Sequence, residues 1–227
     1  MLQEVVNKWL EDKAYNVRGE MCGIFKGYNS DKSAWHNYTT LYAPIFKALG
    51  YHERPINLFE LGLGSINPSI ESNMGHLGNP CASMRSFKDF FPMASIYGAD
   101  IDKDILIEEE RIKTFYCDQT DPQVIKAMWN LVGNVEFDVI IDDGLHKNYA
   151  NECFFTHSYH KLKKGGLYVV EDISIQDYDK TEQFLKDQRY SDMVMLRLPM
   201  DDVWTDGDHI LSGRVNTYDN ALAFIIK

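Results

Sequence analysis

Two short acidic runs hold the residues best able to do chemistry in this 227-residue chain: Asp142-Asp143-Gly144-Leu145-His146, and Glu171-Asp172 one crossover unit later. Carboxylates gathered at one place repel each other and resist losing water, so they are stable together with a bound cation or with some of them protonated. Oxygen ligands favour a hard ion, and an open octahedral site completed by waters or substrate hydroxyls is what magnesium prefers. His146, just past Asp143, adds a group that can take a proton from a hydroxyl held by such an ion. The plainer alternative is that Asp142 and Glu171 face a helix layer or cap helices, and that His146 caps the helix after its turn. Successive strand residues face opposite sides of a sheet, so one acid of each adjacent pair is expected to be structural.

The elements that must position these groups are readable around them. Residues 137–141 form an apolar run ending in Asp142, and 167–170 form another ending in Glu171. Between them, 149–163 predicts a crossover helix ended by Lys161, Lys163 and Lys164, with Gly165-Gly166 as the stop signal. Strand, helix and strand in that order give parallel strands whose carboxyl ends share one edge, so the acids and His146 converge there. Upstream, the run 56–61, apolar except for Asn57 and Glu60, closes on Gly62-Leu63-Gly64, a strand followed by a turn that lets the backbone approach a ligand without a Cβ in the way. A second apolar stretch, 94–99, ends in Asp100, placed at the same edge to accept from ribose hydroxyls. A short strand over 111–117 ends in Asp118, placed to take the exocyclic amine of an adenine. A dinucleotide fingerprint would need a third glycine, which falls on Asn67, and a helix opening at once to receive a pyrophosphate. Instead, residues 66–80 read as a loop, and helical spacing resumes near Ala82 with Met84, Phe87 and Phe90. A nucleotide cofactor lacking a pyrophosphate fits this pattern better.

Glu60-Leu61-Gly62-Leu63-Gly64, Gly98-Ala99-Asp100-Ile101-Asp102 and Asp118-Gln119 resemble the S-adenosylmethionine motifs of class I methyltransferases. Within that superfamily the chain, over 31–227, is similar to the metal-dependent sugar O-methyltransferases of macrolide biosynthesis and to the cephalosporin-hydroxylase-like group. The similarity is carried by Ser30-Asp31-Lys32 followed by His36 and Tyr38, by Ser83-Met84-Arg85 before a helix, by Asp143-Gly144-Leu145-His146, and by the closing strand 219–227. The resemblance implies a doubly wound, mostly parallel α/β sheet of seven strands with an antiparallel C-terminal edge strand. It implies a donor site drawing on Glu60, Gly62, Gly64, Ser83, Arg85, Asp100, Asp118, Gln119 and Asp142. It also implies a Mg2+ site of Asp143 and Asp172, beside which Glu171 is a further candidate ligand, and His146 as general base beside Asp143. In these relatives the turn commonly reads Asp-Gly-Ser-His with a further histidine downstream; Leu145 and Ala150 stand at those positions, so a two-histidine relay is not carried over.

Composition frames the rest. The hydrophobic share of 44% suits a sizeable core, and the expectation is one domain, with a helical cap over 1–50 and a donor-binding core over 51–227. A net charge of −11 argues against nucleic-acid and anionic-membrane partners, which need a basic face. No targeting or spanning segment is visible, and Cys22, Cys81, Cys117 and Cys153 are widely spaced, so reduced thiols, no zinc and a cytoplasmic location are expected. Residues 193–198 and 221–226 predict the last two strands, and the loop between them, with Asp201, Asp202, Trp204, Asp206, Asp208, His209 and Arg214, is a candidate acceptor contact. The function these features imply is a Mg2+-assisted O-methyltransferase acting on a hydroxyl of a sugar or of a glycosylated or phosphorylated small molecule, in natural-product or surface-polysaccharide biosynthesis, with a homo-oligomer left open. A metal-independent N-methyltransferase and a non-catalytic protein that binds S-adenosylmethionine are the alternatives.

Overall fold

A computed structural model describes residues 1–34, 36–199, 205–206, 209–210 and 221–227. Helices come first: α1 (Leu2–Glu11), α2 (Glu20–Gly27), α3 (Asp31–Ala34) and α4 (Tyr38–Ala48). An alternating series follows, with β1 (Asn57–Leu61), α5 (Ala82–Phe90), β2 (Ser95–Asp100), β3 (Glu108–Glu109), β4 (Ile112–Tyr116), α6 (Pro122–Val132) and β5 (Phe137–Asp142). It continues through α7 (Asn148–Ser158), β6 (Leu162–Ile173), α8 (Tyr178–Lys186), β7 (Asp192–Arg197), the short β8 (Thr205–Asp206) and β9 (His209–Ile210), and β10 (Ala221–Ile226). The main sheet has the order β3-β4-β2-β1-β5-β6-β10-β7. Its centre is parallel from β4 to β6, while β10 runs antiparallel to both β6 and β7.

Every residue of β5 and of β10 is buried, as expected of strands covered on both faces. One face packs Leu58, Ile96, Val139, Ile141 and Val169 against Trp9, Phe25, Tyr42, Phe46 and Phe87 of the N-terminal helices and α5. The other packs Phe59, Ile140, Tyr168 and Ile225 against Trp129, Phe154, Phe155 and Leu185 of α6, α7 and α8. Burial of this apolar area, at about 25 cal/mol per Å², is what holds the three layers together.

The doubly wound, mostly parallel sheet agrees with the sequence reading, with two corrections. The sheet has eight strands rather than seven, because the acidic pair Glu108–Glu109 adds a short antiparallel strand beside β4. The C-terminal strand is not the edge: β10 is inserted between β6 and β7. Its run Ala221–Ile226 is buried throughout, whereas β7 carries Asp192 and an exposed Arg197, so the more polar strand takes the border. The crossover helix is also shorter than expected, since α7 stops at Ser158 and Gly165-Gly166 lie inside β6. Their backbone pairs with Lys227 instead of ending a helix. Trp35 and most of the proposed acceptor loop, including Asp201, Asp202, Trp204, Asp208 and Arg214, fall outside the described residues. Among the described residues no helix is long and apolar enough to cross a membrane, and the four cysteines are free thiols.

Candidate active site

A cavity of about 370 Å³ opens at the carboxyl ends of β1, β2, β5 and β6, lined by Gly62, Gly64, Ser83, Asp100, Asp118, Gln119, Asp143, His146 and Asp172. This is the edge at which open parallel sheets bind ligands, and the size suits a small molecule. The glycine turn has a sharper structural reason than ligand approach alone. Gly62 has φ +86°, and a Cβ there would lie 1.9 Å from the carbonyl oxygen of Asp143, so the loops after β1 and β5 touch backbone to backbone. Gly64, at φ +81°, faces the Met74 sulfur, which a Cβ would meet at 2.2 Å, and that contact folds the 66–80 loop over the pocket.

On the nucleoside side, Asp100 is buried and accepts from the Leu63 N–H at 2.6 Å and the Asp102 N–H at 2.8 Å, bonds that partly offset the upward push of burial on its pKa. Asp118 accepts from Thr120 N and Oγ1, while Gln119 donates to Asp142 at 2.6 Å and accepts from Leu145 N at 2.8 Å. Asp142 thus turns away from the cavity; burial pushes its carboxyl to about 7, and its Oδ2 has no partner among the described residues. Ser83 lines the cavity and donates to Glu60, but Arg85 does not reach the cavity. Its guanidinium is drawn instead to Glu109 at 2.7 Å, on the added edge strand.

On the other side, Asp143, His146 and Asp172 each offer a ligand atom, all within 4.8 Å of one another. His146 Nε2 lies 3.1 Å from Asp143 Oδ1 and 3.5 Å from Asp172 Oδ2. Burial works against a protonated imidazole, but Asp172 and Asp143 outweigh it and raise the His146 pKa to about 10. Asp143 responds in kind: burial works to raise its pKa, but Lys32 and His146 outweigh that and lower it to about 2. Both His146 (φ +57°) and Asp172 (φ +52°) adopt left-handed backbone, unusual for residues with a side chain and often found where a site fixes orientation.

Strand alternation explains the remaining acids. Glu60 on β1 and Glu171 on β6 share the face that the N-terminal helices cover, and both bury their carboxyls there. Lys32, on α3 and only 2% exposed, meets them with its ammonium: 2.6 Å from Glu171, 3.2 Å from Glu60 and 2.5 Å from Asp143. Tyr42 donates to Glu171 and Tyr38 to Asp172, so α3 and α4 are pinned to the carboxylates. Glu171 is held by Lys32 and Tyr42, and the shared Lys32 ammonium links it to Asp143. Burial raises Glu60 to about 7 despite Lys32, while Lys32 itself, penalised by burial, is held well above its ordinary value by Asp143, Glu171 and Glu60. Sequence reasoning quoted Lys32 but gave it no role. A lysine in a short polar helix looks like surface; the one signal was its place in a run that also holds His36, Tyr38 and Tyr42.

No family model matches the chain. Among curated proteins it is 32% identical over 138 residues to the mycinamicin VI 2''-O-methyltransferase of Micromonospora griseorubida, a match covering 61% of this chain and 32% of that protein. It is 29% identical over 153 residues to the 8-demethyl-8-alpha-L-rhamnosyl tetracenomycin-C 2'-O-methyltransferase of Streptomyces olivaceus, covering 67% of this chain and 37% of that one. Among solved structures it superposes on the MycE methyltransferase of mycinamycin biosynthesis in complex with Mg and SAH, with a TM-score of 0.66, 25% identity, and coverage of 92% of this chain and 55% of that one. The fold is that of a class I methyltransferase. This methyltransferase-fold chain spans roughly a third of the length of the curated relatives it matches, and about half that of the structure.

Proposed function

We propose that the chain is an O-methyltransferase that moves the methyl group of S-adenosylmethionine to a hydroxyl of a sugar on a small molecule, with Mg2+ held by Asp143 and Asp172. The single observation that supports this most is the approach of Asp143, His146 and Asp172 within 4.8 Å on the wall of the cavity that also carries the glycine turn. The residues fit both groups. Asp143 and Asp172 offer hard oxygen ligands with an open side toward the cavity, and Gly62, Asp100, Asp118 and Gln119 form the nucleoside wall. Ser83 lines the cavity beside them, and Glu60 and Asp142 support these walls from behind. The comparisons add that the relatives are sugar O-methyltransferases and that MycE was solved with Mg and SAH.

The donor supplies an activated methyl, and the divalent ion supplies a fixed positive charge for the oxygen that develops negative charge. The residues do the rest. Asp143 and Asp172 fix where the acceptor hydroxyl stands, and the cavity walls hold the donor in line with it. His146 Nε2 sits between those two carboxylates, whose charge is what raises its pKa to about 10. With a divalent ion held by Asp143 and Asp172, their charge would no longer favour a protonated imidazole, and Nε2 would serve as the acceptor of the hydroxyl proton. The test is calorimetric titration of S-adenosylhomocysteine and of Mg2+ into metal-stripped protein and into an Asp143→Ala, Asp172→Ala double variant, followed by a screen of sugars with vicinal hydroxyls. Product binding in both proteins, with a Mg2+ heat only in the parent, is expected. Absence of product binding would overturn the reading, and Mg2+-independent turnover on an amine would favour N-methylation.

A further inference from the structure

The loops that follow β1 and β5 touch twice. At the base of the cavity Gly62 lies against the Asp143 carbonyl, and the Asp143 N–H donates to the Leu61 carbonyl at 2.9 Å. At the rim, Glu71 of the first loop pairs with Lys147 of the second at 3.3 Å. Glu71 lines the cavity while its side chain is 66% exposed, which is what puts this second contact at the mouth. Between the two contacts, Ser69 and Ile70 on one side and Leu145 and His146 on the other line the cavity. The loops thus enclose a window, and a ligand seated on Gly62 and Gly64 lies beneath its outer bar.

Residues 66–73 form one locally bonded piece. The Asn67 N–H donates to Ser65 Oγ and the Ser69 N–H to Asn67 Oδ1, each at 3.0 Å. The Ile70 N–H donates to the Asn67 carbonyl at 3.0 Å, and Asn73 Nδ2 to the Ile70 carbonyl at 2.6 Å. Side-chain turns of this kind stiffen a loop that has no helix or strand. Its flanks are fastened to the body of the protein, Ser65 to Asp102 and Asn79 to the Tyr28 carbonyl at 2.7 Å. Among the described residues, the Glu71–Lys147 pair is the one hydrogen bond or ion pair that ties 66–73 to an element outside its own loop.

An ion pair this exposed is weak, because two long side chains give up freedom to hold it and salt screens it. Weakness suits a contact that has to open in every turnover. If the donor reading above holds, on which this inference rests, the nucleoside lies along Gly62, Asp100 and Gln119, below the window. With the pair formed, the loop keeps water from the reacting groups; with it broken, spent product can leave. Lys147 directly follows His146, so the same pair also steadies the turn that presents the imidazole. We infer that residues 66–73 are a strap over the donor, latched by the Glu71–Lys147 ion pair, and that opening this latch gates exchange of the bound nucleoside.

The experiment loads the protein with labelled S-adenosylhomocysteine, chases it with an excess of the unlabelled compound and follows release. Glu71→Gln and Lys147→Gln are each expected to speed release by about 2- to 5-fold. The double variant carrying both changes should be no faster than either alone, and the charge exchange Glu71→Lys with Lys147→Glu should return release toward the parent rate. Raising NaCl from about 0.05 M to about 0.5 M should speed release from the parent more than from either glutamine variant. Release rates and salt dependence equal to the parent's in both single variants overturn the latch, as do two single effects that multiply in the double variant. Failure of the parent protein to bind S-adenosylhomocysteine overturns the donor reading itself, and the strap with it.

Discussion

Asp138 near the start of β5 and Asp143 just past its end are both acids with little exposed side chain, yet their surroundings differ in kind. Asp138 accepts from Arg54 at 2.6 Å, from Lys163 at 2.7 Å and from the Asn57 backbone at 2.9 Å, so both oxygens are satisfied. Burial alone would raise its pKa, but these donors outweigh it and hold the carboxyl below its ordinary value. Its partners come from the connection before β1, from β1 itself and from β6, so Asp138 acts as a rivet between strands. Asp143 is also satisfied, but by Lys32 from a separate helix and by His146 from its own turn, and it opens on a cavity. A buried acid is therefore not a functional site by itself. What distinguishes Asp143 is that a ligand can replace one of its partners.

The largest expected effect tests that distinction directly. Asp143→Ala should lower methyl transfer by about 1000-fold, the scale of losing a metal ligand and the placement of the reacting oxygen. Its thermal midpoint should fall less than that of Lys32→Met, because Lys32 keeps Glu171 and Glu60 as counter-ions. Activity near the parent level in a folded, Mg2+-saturated variant would place the metal elsewhere. Next comes Lys32→Met, which strips the counter-ion from Glu60, Glu171 and Asp143 at once and should cost about 3 kcal/mol of stability in metal-free protein. A divalent ion can restore part of the missing charge, so Mg2+ should raise the melting temperature of Lys32→Met more than that of the parent. Equal Mg2+ responses in a scanning fluorimetry titration would separate Lys32 from the metal site. Asp138→Ala should cost about 2 kcal/mol, less than for a fully enclosed pair because Arg54 and Lys163 are partly exposed. The protein that remains folded should keep its kcat, a split that urea unfolding and steady-state kinetics would show.

The fold was legible in the sequence wherever one strand decided its own environment. Runs such as 139–141 and 167–170 are apolar on both faces, which fits only the middle of a sheet, and the acids that follow them mark its carboxyl edge. The placement of β10 was not legible, because whether 221–226 or 193–198 lies at the border depends on how their burial compares across the sheet. At the site, Asp143, His146 and Asp172 share one wall because a crossover connection forces their strands side by side. Glu171, adjacent in sequence to Asp172, lies on the opposite face of its strand, where Lys32 and Tyr42 meet its carboxylate. Lys32 itself was out of reach, since more than a hundred residues separate it from Asp143 and no local pattern records a contact of that span. Arg85 failed for the same reason in reverse, as its partner Glu109 belongs to a strand too short for periodicity to reveal.

The smallest effect concerns Asp142, the acid between the two extremes, on the same strand but facing neither the rivet nor the cavity. Its Oδ1 accepts from Gln119 while its Oδ2 has no partner among the described residues, and burial raises its pKa from 3.8 to about 7. A carboxyl raised in the folded state binds its proton more tightly there than in the unfolded chain. Its contribution to stability is thus fully present below about pH 4 and is lost as the pH rises through about 7. Glu60, raised from 4.5 to about 7, acts in the same direction and window. His146, raised from 6.5 to about 10, adds a separate loss at higher pH. Asp142→Asn removes only one of the two acidic contributions and keeps an oxygen for Gln119. Between pH 6 and pH 7 the metal-free variant should therefore lose about 1 kcal/mol less stability than the parent. Urea unfolding at those two pH values reads the difference directly. Parallel losses in the two proteins would mean that Asp142 is ionised throughout, and that water or an ion reaches its second oxygen as surely as Arg54 and Lys163 reach Asp138.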